Sequence, residues 1–430
     1  MTREPETALA GEERPVAAPA RDQSVEASPE TAEGFRKNWK QMALLGALVA
    51  FTGSMVGLER PLISLLAKSE FGLASSAAAL SFLIAFGLAK AFANLGAGGL
   101  ADRYGRRRVL IAGWLVGIPA PLMVALAPSW SYVIAANALL GISQGLAWSM
   151  ALNMKIDLAG PKRRGLAVGF NESVGYMGVA TMAYFAASLA STFGLRPVPF
   201  LIGTAIAVVG FTLAFLTKET WPRREAEGDV SWRSFATNRR LILDPTVRAA
   251  SFGGFATNLK DGLLWGLLPL LLIARGVSLT GIGLVVALYP LVWAVTQFAS
   301  GPLSDRFGRR TFIVPGFLIQ ALGLGLLVTQ RSYASTAASA VVLGVGTGMV
   351  YPTLIALASD AAIPRWRASA IGAYRFIRDL GYVGGGLLGG LVADLFGIEI
   401  ALGSGVVFVL AAGAVIAVNR RRSTEVRLMT

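Results

Sequence analysis

The sequence predicts an all-α membrane protein with twelve transmembrane helices, arranged as two pseudo-symmetric bundles of six. Three observations support this fold class: the composition, the number of long apolar segments, and a repeat that recurs at a constant offset. Of the 430 residues, 54% are hydrophobic and only 15% are charged, and the mean hydropathy is +0.59. An average soluble domain is less apolar and has about 25% charged residues.

Twelve segments are long and apolar enough to cross a bilayer, for which a helix needs about 20 residues. Glycine is frequent inside them, as expected where membrane helices approach one another closely. Pro61 predicts a break or kink in the first helix. The segments lie at 41–66, 75–97, 109–127, 131–154, 165–190, 198–217, 248–273, 280–300, 311–329, 334–357, 367–393 and 399–418.

Polar segments divide the chain into five parts. Residues 1–40 are rich in Ala, Pro and Glu without apolar periodicity, so we expect a disordered cytoplasmic tail rather than a cleavable signal peptide. Residues 41–217 and 248–418 are the two predicted six-helix bundles. Residues 218–247 form the longest polar interruption and are interpreted as a cytoplasmic linker, and 419–430 as a cytoplasmic C-terminal tail.

The net charge of +14 indicates membrane orientation rather than a nucleic-acid partner, because the basic residues gather in alternate loops. The positive-inside rule places those loops in the cytoplasm. We therefore expect a multi-pass, monomeric protein of the bacterial inner membrane, surrounded by lipid, with both termini cytoplasmic. The basic loops include Arg103, Arg106, Lys155, Arg163, Arg306, Arg309 and Arg365, whereas the opposite loops hold Lys68, Arg196, Arg275 and Arg331.

The chain contains no cysteine and no histidine. This excludes disulfides, thiolate or imidazole metal ligands, and histidine proton relays. A Gly-x-x-x-x-Gly-Lys-Ser/Thr phosphate loop is also absent from the sequence, which argues against an ATP-driven pump. We expect no metal, no cofactor and no enzymatic activity. The proton carrier is expected to be a carboxylate or a tyrosine, with a proton gradient as the energy source.

One motif occurs twice, as GGLADRYGRRRVL at 98–110 and as GPLSDRFGRRTFI at 301–313. The offset between the copies, 203 residues, also places Asp157 on Asp360 and Arg164 on Arg367. Two loops that share one offset indicate an internal duplication. Because each unit has an even number of spans, the halves are parallel repeats related by an axis along the membrane normal.

The motif resembles the signature loop of the Major Facilitator Superfamily, which lies between the second and third helices. The resemblance covers about residues 40–420 and implies a secondary active transporter that works by rocker-switch alternating access. It also implies a conformational latch in which Gly98 and Gly105 allow tight turns and Asp102 favours the positive end of a neighbouring helix. Alternatively, the arginines only set the orientation. The latch residues would be Gly98, Asp102, Gly105, Arg106, Asp157 and Arg164, and in the second half Gly301, Asp305, Gly308, Arg309, Asp360 and Arg367.

Ionisable residues inside the spans are costly and usually face a cavity or a partner. The proton-coupling candidates are Glu172, Asp261 and Glu59, in that order, followed by Asp379. The repeat offset makes Glu172 equivalent to Arg375, which has the opposite charge. Fixed salt bridges between helices are the alternative interpretation. The substrate-cavity candidates are Asn258, Trp265, Trp148, Gln144, Asn171, Tyr176, Arg375, Arg378 and Tyr382.

Within the superfamily, the sequence resembles bacterial efflux and drug-resistance members most closely in motif. That resemblance implies proton-coupled export of a drug-like or toxic small molecule. Two alternatives stay open. One is proton-coupled uptake of a small anionic metabolite, favoured by an excess of cations over acids in the spans, five against four. The other is export of arsenicals.

Overall fold

The structure is a computed structural model that describes residues 37–160, 163–220, 244–361 and 367–419. The predicted tails and most of the predicted linker lie outside these residues. The described part contains no strand, and twelve helical spans account for most of it. They are α1 (Trp39–Ser69), α2 (Ser76–Tyr104), α3 (Arg106–Ala125), α4 (Trp130–Ala159), α5 (Arg164–Phe193), α6 (Val198–Ala214), α7 (Pro245–Ala274), α8 (Leu279–Phe307), α9 (Arg309–Thr329), α10 (Tyr333–Asp360), α11 (Arg367–Phe396) and α12 (Ile398–Val418).

Ten of these spans have both the length and the apolar composition of a transmembrane helix. The other two are α6, which is apolar but only 17 residues long, and α11, which carries Arg375, Arg378 and Asp379 near its middle. The predicted all-α membrane fold is confirmed.

The bundle has two distinguishable ends. At one end α2 meets α3, α4 meets α5, α8 meets α9 and α10 meets α11; we call it the basic end, because the duplicated arginine-rich motif lies there. The opposite end, where α1 meets α2, α5 meets α6, α7 meets α8 and α11 meets α12, is called the far end.

The two copies of the motif turn in the same way. Gly105 separates α2 from α3 with φ 88°, and Gly308 separates α8 from α9 with φ 95°. Side chains with a Cβ rarely adopt positive φ, so both positions favour glycine. The duplication seen in the sequence is therefore also a duplication of backbone geometry.

Close helix crossings hold each half together. A Cβ built on Gly53 of α1 would lie only 2.0 Å from the carbonyl oxygen of Gly175 in α5, and one built on Gly178 would lie 2.1 Å from that of Ala50. Glycine at these positions lets the two backbones pack against each other. Between the halves, α5 packs against α8 and α2 packs against α11.

Span α1 is interrupted. Its first helix ends at Glu59 and its second begins at Ile63, so the break lies at Pro61, as the sequence predicts. Proline has no N–H to donate and its ring crowds the preceding turn. The break leaves Arg60 beside the cavity described next.

Candidate functional site

A central cavity lies between the two halves of the bundle. It encloses about 500 Å³ of empty space, counting space open to solvent. Helices α1, α2, α4 and α5 line it from the first half, and α10 and α11 from the second. The lining residues are Val56, Arg60, Phe86, Lys90, Asn94, Gln144, Trp148, Ser149, Glu172, Tyr176, Val179, Tyr351, Arg375, Arg378 and Tyr382.

Glu172 is the only carboxylate among these lining residues. Its side chain is buried, and its Oε1 accepts hydrogen bonds from Trp148 Nε1 at 2.8 Å and from Asn171 Nδ2 at 3.1 Å. Lys155 Nζ donates to Asn171 Oδ1 at 2.9 Å. The position of the carboxylate is therefore fixed from α4 and α5. The prediction that Lys155 lies in a loop is wrong, because α4 continues to Ala159 and buries this lysine completely.

Four cations line the cavity, and one of them has a carboxylate partner. Arg378 Nη2 lies 2.8 Å from Asp379 Oδ1. In the part of the chain that the structure describes, no carboxylate oxygen lies within 4.0 Å of the charged nitrogens of Arg60, Lys90 or Arg375.

These three cations contact polar or aromatic groups instead. Lys90 Nζ lies 5.2 Å from the ring centre of Phe86 and 5.4 Å from that of Tyr382. Arg375 Nη1 donates to Ser149 Oγ at 3.0 Å, and the guanidinium of Arg60 lies 5.4 Å from the Trp265 ring. Glu172 and Arg375, the oppositely charged pair given by the repeat, share the cavity without forming an ion pair with each other.

Asp379 joins the two halves behind the cavity wall. Its Oδ2 accepts from Asn94 Nδ2 of α2 at 2.5 Å, and its Oδ1 accepts from Asn258 Nδ2 of α7 at 3.1 Å. Asn94 Oδ1 in turn accepts from Ser149 Oγ at 2.8 Å. Asp379 and Asn258 are fully buried, so they support the wall rather than line the cavity.

Asp261 belongs to a separate cluster inside the second half. Its Oδ1 lies 2.9 Å from Lys260 Nζ and accepts from Tyr289 OH at 2.5 Å. Lys260 Nζ also donates to Tyr289 OH at 2.6 Å and to Thr347 Oγ1 at 2.7 Å. Both charged side chains have no exposed area. The ion pair lies within α7, and the hydrogen bonds to Tyr289 and Thr347 join it to α8 and α10.

Trp265 lies on the far-end side of the cavity, in an aromatic cluster. Its ring centre is 5.8 Å from that of Phe82, 5.0 Å from that of Phe86 and 6.1 Å from that of Tyr382. The cluster joins α7 and α11 of one half to α2 of the other. Glu59 is the sequence neighbour of Arg60, whose guanidinium lies over the Trp265 ring. Its side chain is buried, and its Oε2 accepts no hydrogen bond from the described residues.

The structure thus separates the predicted site residues into two groups. The cavity brings together Glu172, Trp148, Gln144, Tyr176, Arg375, Arg378 and Tyr382. The residues outside its lining are Asn258, Trp265, Asn171, Asp261, Glu59 and Asp379.

At the basic end, ion pairs form within each half. Arg106 pairs with Asp157 and donates to the Asn153 carbonyl oxygen at 2.9 Å. In the second half, Arg309 pairs with Asp305, and its Nε lies 3.1 Å from Asp360 Oδ2.

Other predicted latch residues differ from expectation. The prediction of a tight turn at Gly98 is wrong, because α2 continues as a helix to Tyr104 and the turn falls at Gly105. Gly301 likewise lies within α8, and Asp102 is exposed. The side chains of Arg164 and Arg367 lie outside the described part of the structure.

The first residues after α6 are bound to this motif. Glu219 accepts from the backbone N–H groups of Arg106 and Arg107, both at 3.1 Å, and thereby caps the positive N-terminal end of α3. Thr220 Oγ1 donates to Asp157 Oδ2 at 2.8 Å. The start of the predicted linker is therefore an ordered part of the first half.

At the far end, hydrogen bonds connect the two halves directly. Asp394 of α11 accepts from Ser76 N at 2.5 Å, from Ser75 Oγ at 2.6 Å and from Ala77 N at 3.1 Å. These donors lie at the N-terminal end of α2. The far end is therefore closed by polar contacts between the halves.

Sequence reasoning missed several of these groups. Lys90 and Arg60 are two of the five cations counted within the spans, but they were not among the candidate site residues. Asn94 could have been found as an amide side chain within an apolar segment. Glu219 and Asp394 gave no local signal, because each acts on a helix end that is distant in sequence.

Comparison with known proteins agrees with this architecture. Multidrug resistance protein MdtG of Escherichia coli is 26% identical over 402 residues, which cover 88% of this chain and 93% of MdtG. A bacterial homolog of the human lysosomal transporter Spinster, in an inward-facing and unoccupied conformation, matches with a TM-score of 0.71 and 17% identity, covering 87% of this chain and 96% of that one. The human organic anion transporter MFSD10 (TETRAN) matches with a TM-score of 0.67 and 17% identity, covering 88% and 99%.

The family assignment follows from a direct match. The model of the Major Facilitator Superfamily matches residues 42–259 and 250–428, which together include both halves of the bundle and both copies of the motif. This chain belongs to the Major Facilitator Superfamily and is a multi-pass membrane transporter.

Proposed function

We propose that this chain is a proton-coupled secondary active transporter of a small, drug-like organic compound. The observation that carries the proposal is the position of Glu172, which brings a single carboxylate to a cavity between the two halves. A carboxylate at membrane depth that faces a cavity is suited to carry a proton. The relationship to a multidrug resistance protein supports a drug-like substrate.

Alternating access requires the halves to rock about this cavity. Two hydrogen bonds at cavity depth join the halves and would change during such a motion: Asn94 to Asp379 at 2.5 Å and Arg375 to Ser149 at 3.0 Å. Asn94, Ser149 and Arg375 line the same cavity as Glu172. A change in the charge of Glu172 therefore acts on the contacts that hold the halves together.

Polar and charged groups surround Glu172. Asn171 and Trp148 donate hydrogen bonds to it, and Arg378 of α11 lines the same cavity. The charged or titratable groups that interact with it electrostatically are Lys90 of α2, Lys155 of α4, Tyr176 of α5, Tyr351 of α10, and Tyr374 and Arg375 of α11.

The proposal includes an orientation. The basic end faces the cytoplasm by the positive-inside rule, the protein resides in the bacterial inner membrane, and it works as a monomer. The far end then opens to the outside. The closed far-end contacts of Asp394 would correspond to a state that is sealed from the outside.

The charge of the substrate determines how it is coupled to the proton. A cation that pairs with Glu172 exchanges for a proton, so protons that enter down their gradient drive its export. An anion that pairs with the cavity cations binds together with a proton, which gives uptake. Export of a drug-like compound is the first form of the proposal. Proton-coupled uptake of an anion is the second form, and the surplus of cations in the cavity favours it.

The test uses the purified protein in liposomes that contain a pH-sensitive dye. Compounds from a panel of cationic, neutral and anionic drugs are added, and proton movement that depends on the compound is recorded. We expect such movement for at least one class, and we expect Glu172→Gln to abolish it, because the neutral amide cannot bind or release a proton. Counterflow of an anionic substrate should continue in this variant, whereas counterflow of a cation that pairs with Glu172 should be lost.

The matched control is Glu399→Gln, which neutralises an acid that pairs with Arg275 at 2.9 Å within the second half. This variant should behave like the wild type. Substrate-dependent proton movement that persists unchanged in Glu172→Gln would remove Glu172 from the coupling step.

A further inference from the structure

We propose that the central cavity binds its substrate as an organic anion, with the anionic group held by Lys90 and Arg375 and the apolar body against the aromatic wall. This inference rests on the proposed transport function and specifies the chemical class of the substrate.

The first argument is the balance of charge in the cavity. Arg378 is neutralised by Asp379 at 2.8 Å. Among the other lining residues, Arg60, Lys90 and Arg375 face a single acid, Glu172. The cavity therefore keeps an excess of positive charge even when Glu172 is ionised, and a larger excess when Glu172 is protonated.

The second argument is that these cations have unused donors. Arg375 is 8% exposed and Arg60 is 3% exposed, and the Nε of each makes no hydrogen bond with the described residues. Lys90 Nζ lies near the rings of Phe86 and Tyr382 and forms no ion pair with the described residues. Buried cations without an anionic partner are costly, and a carboxylate or sulfonate supplies that partner with strong, charge-assisted hydrogen bonds.

The third argument is the shape of the opposite wall. The ring centres of Trp148 and Tyr176 are 5.6 Å apart, and those of Tyr176 and Tyr351 are 5.8 Å apart, in edge-to-face arrangements. Such a wall offers apolar area to an aromatic or aliphatic body. Because Trp148 Nε1 already donates to Glu172, the indole contributes its ring rather than its donor. The site thus suits an amphipathic anion.

A consequence follows for coupling. Glu172 and a bound anion carry like charges in the same cavity, so protonation of Glu172 strengthens binding of the anion, and the anion in turn favours protonation by the same factor. The affinity for a permanently charged anion is then higher when Glu172 is protonated than when it is ionised. The proton and the anion travel together, which is the uptake form of the proposed function.

The experiment compares two probes that have the same ring and opposite charge, 2-naphthalenesulfonate and 2-naphthyltrimethylammonium. Binding to the purified full-length protein in detergent is measured by calorimetry at several pH values. We expect the sulfonate to bind at least tenfold more tightly than the ammonium, and its affinity to decrease with increasing pH. In Glu172→Gln this pH dependence should become smaller, because the neutral amide does not titrate, and the remainder should come from the Lys90 ammonium.

Variants locate the anion. Lys90→Gln and Arg375→Gln should each weaken sulfonate binding about tenfold or more, the range expected when a charged hydrogen-bond partner is lost. Arg375→Lys should restore part of the affinity because it keeps the charge. Arg248→Gln, which removes an exposed cation at the basic end of α7, is the control and should bind like the wild type. Thermal unfolding of each variant verifies that it is folded.

Two results would overturn the anion assignment. Tighter binding of the ammonium probe, lost in Glu172→Gln, would make the cavity a cation site and leave the proposed proton-coupled export standing. Sulfonate binding that survives in both folded charge-removal variants would place the anion elsewhere. Failure of the transport function itself would show separately, as the absence of substrate-dependent proton movement in liposomes.

Discussion

Substitution of Asp394 by asparagine should open the far end of the transporter. The carboxylate of Asp394 accepts three hydrogen bonds from Ser75, Ser76 and Ala77, across the boundary between the halves. Two of the donors are backbone N–H groups at the N-terminal end of α2, where a negative charge is stabilised. Asparagine keeps the size of the side chain but has no charge and one acceptor fewer.

The expected magnitude follows from the type of contact. Loss of a capping side chain at a helix N-terminus costs about 0.5–2 kcal/mol, and the favourable effect of a charge there is about 0.3–1 kcal/mol when it is exposed to solvent. Because Asp394 is exposed, we expect about 1–2 kcal/mol in total. This energy is lost only from the state with a closed far end, so the population with an open far end should rise about 5- to 30-fold.

The absence of cysteine from the chain makes the measurement direct. Val56→Cys places a single thiol in the lining of the central cavity. A membrane-impermeant maleimide added on the far-end side reaches this thiol only when that end is open. The labelling rate is proportional to the minor open population, so it should rise in Asp394→Asn by the factor given above.

The control is again Glu399→Gln, which removes an acid from the same end but from an ion pair within one half. Its labelling rate should equal that of the parent. A rate for Asp394→Asn that differs from the parent by less than twofold would show that the Asp394 contacts do not hold the far end closed.

Further predictions concern stability, measured as thermal unfolding in detergent. Gly53→Ala should lower the unfolding temperature, because its Cβ would lie 2.0 Å from a backbone oxygen of α5. The control Gly98→Ala should leave the unfolding temperature unchanged, because nothing lies within 4 Å of a Cβ at that position. Equal unfolding temperatures for the two variants would contradict the close crossing of α1 and α5. Asp379→Asn should destabilise the protein by about 3–5 kcal/mol, because it leaves Arg378 buried without its partner; a wild-type unfolding curve would show that the network is not required. Glu219→Gln should cost about 0.5–2 kcal/mol by weakening the cap on α3, and no change would indicate that water replaces the cap.

Much of the fold can be predicted from local sequence. Hydropathy over about 20 residues predicts a membrane span independently of the helices that pack around it, and the repeat at an offset of 203 residues predicts the division into two halves. The repeat even predicts local backbone geometry, as Gly105 and Gly308 show. Each has a positive φ at an equivalent turn, and the conserved spacing between the two copies of the motif predicts where the second turn falls.

The candidate site could be predicted only in part. Arg375, Arg378 and Tyr382 lie on one helical face by their spacing, and they do line the cavity together. Asn258 and Trp265 share a face of α7 by their spacing and were both expected at the substrate cavity. In the structure Asn258 is covered by α11, where it donates to Asp379, and Trp265 lines a second pocket beside Arg60 rather than the central cavity. Helical spacing determines which residues share a face; it does not determine which neighbouring helix covers that face.

The sequence by itself determined the class of protein, the membrane spans and the duplicated motif, because these depend on composition and on residues close together in the chain. Only the tertiary structure decided which charges are paired. Asp261 has its partner on the same helix and Asp379 has partners on three, whereas Glu172, Lys90 and Arg375 face the cavity without an ion pair among the described residues. The physical reason is that the cost of a buried charge depends on its spatial neighbours, and those are set by helix packing over hundreds of residues of sequence separation.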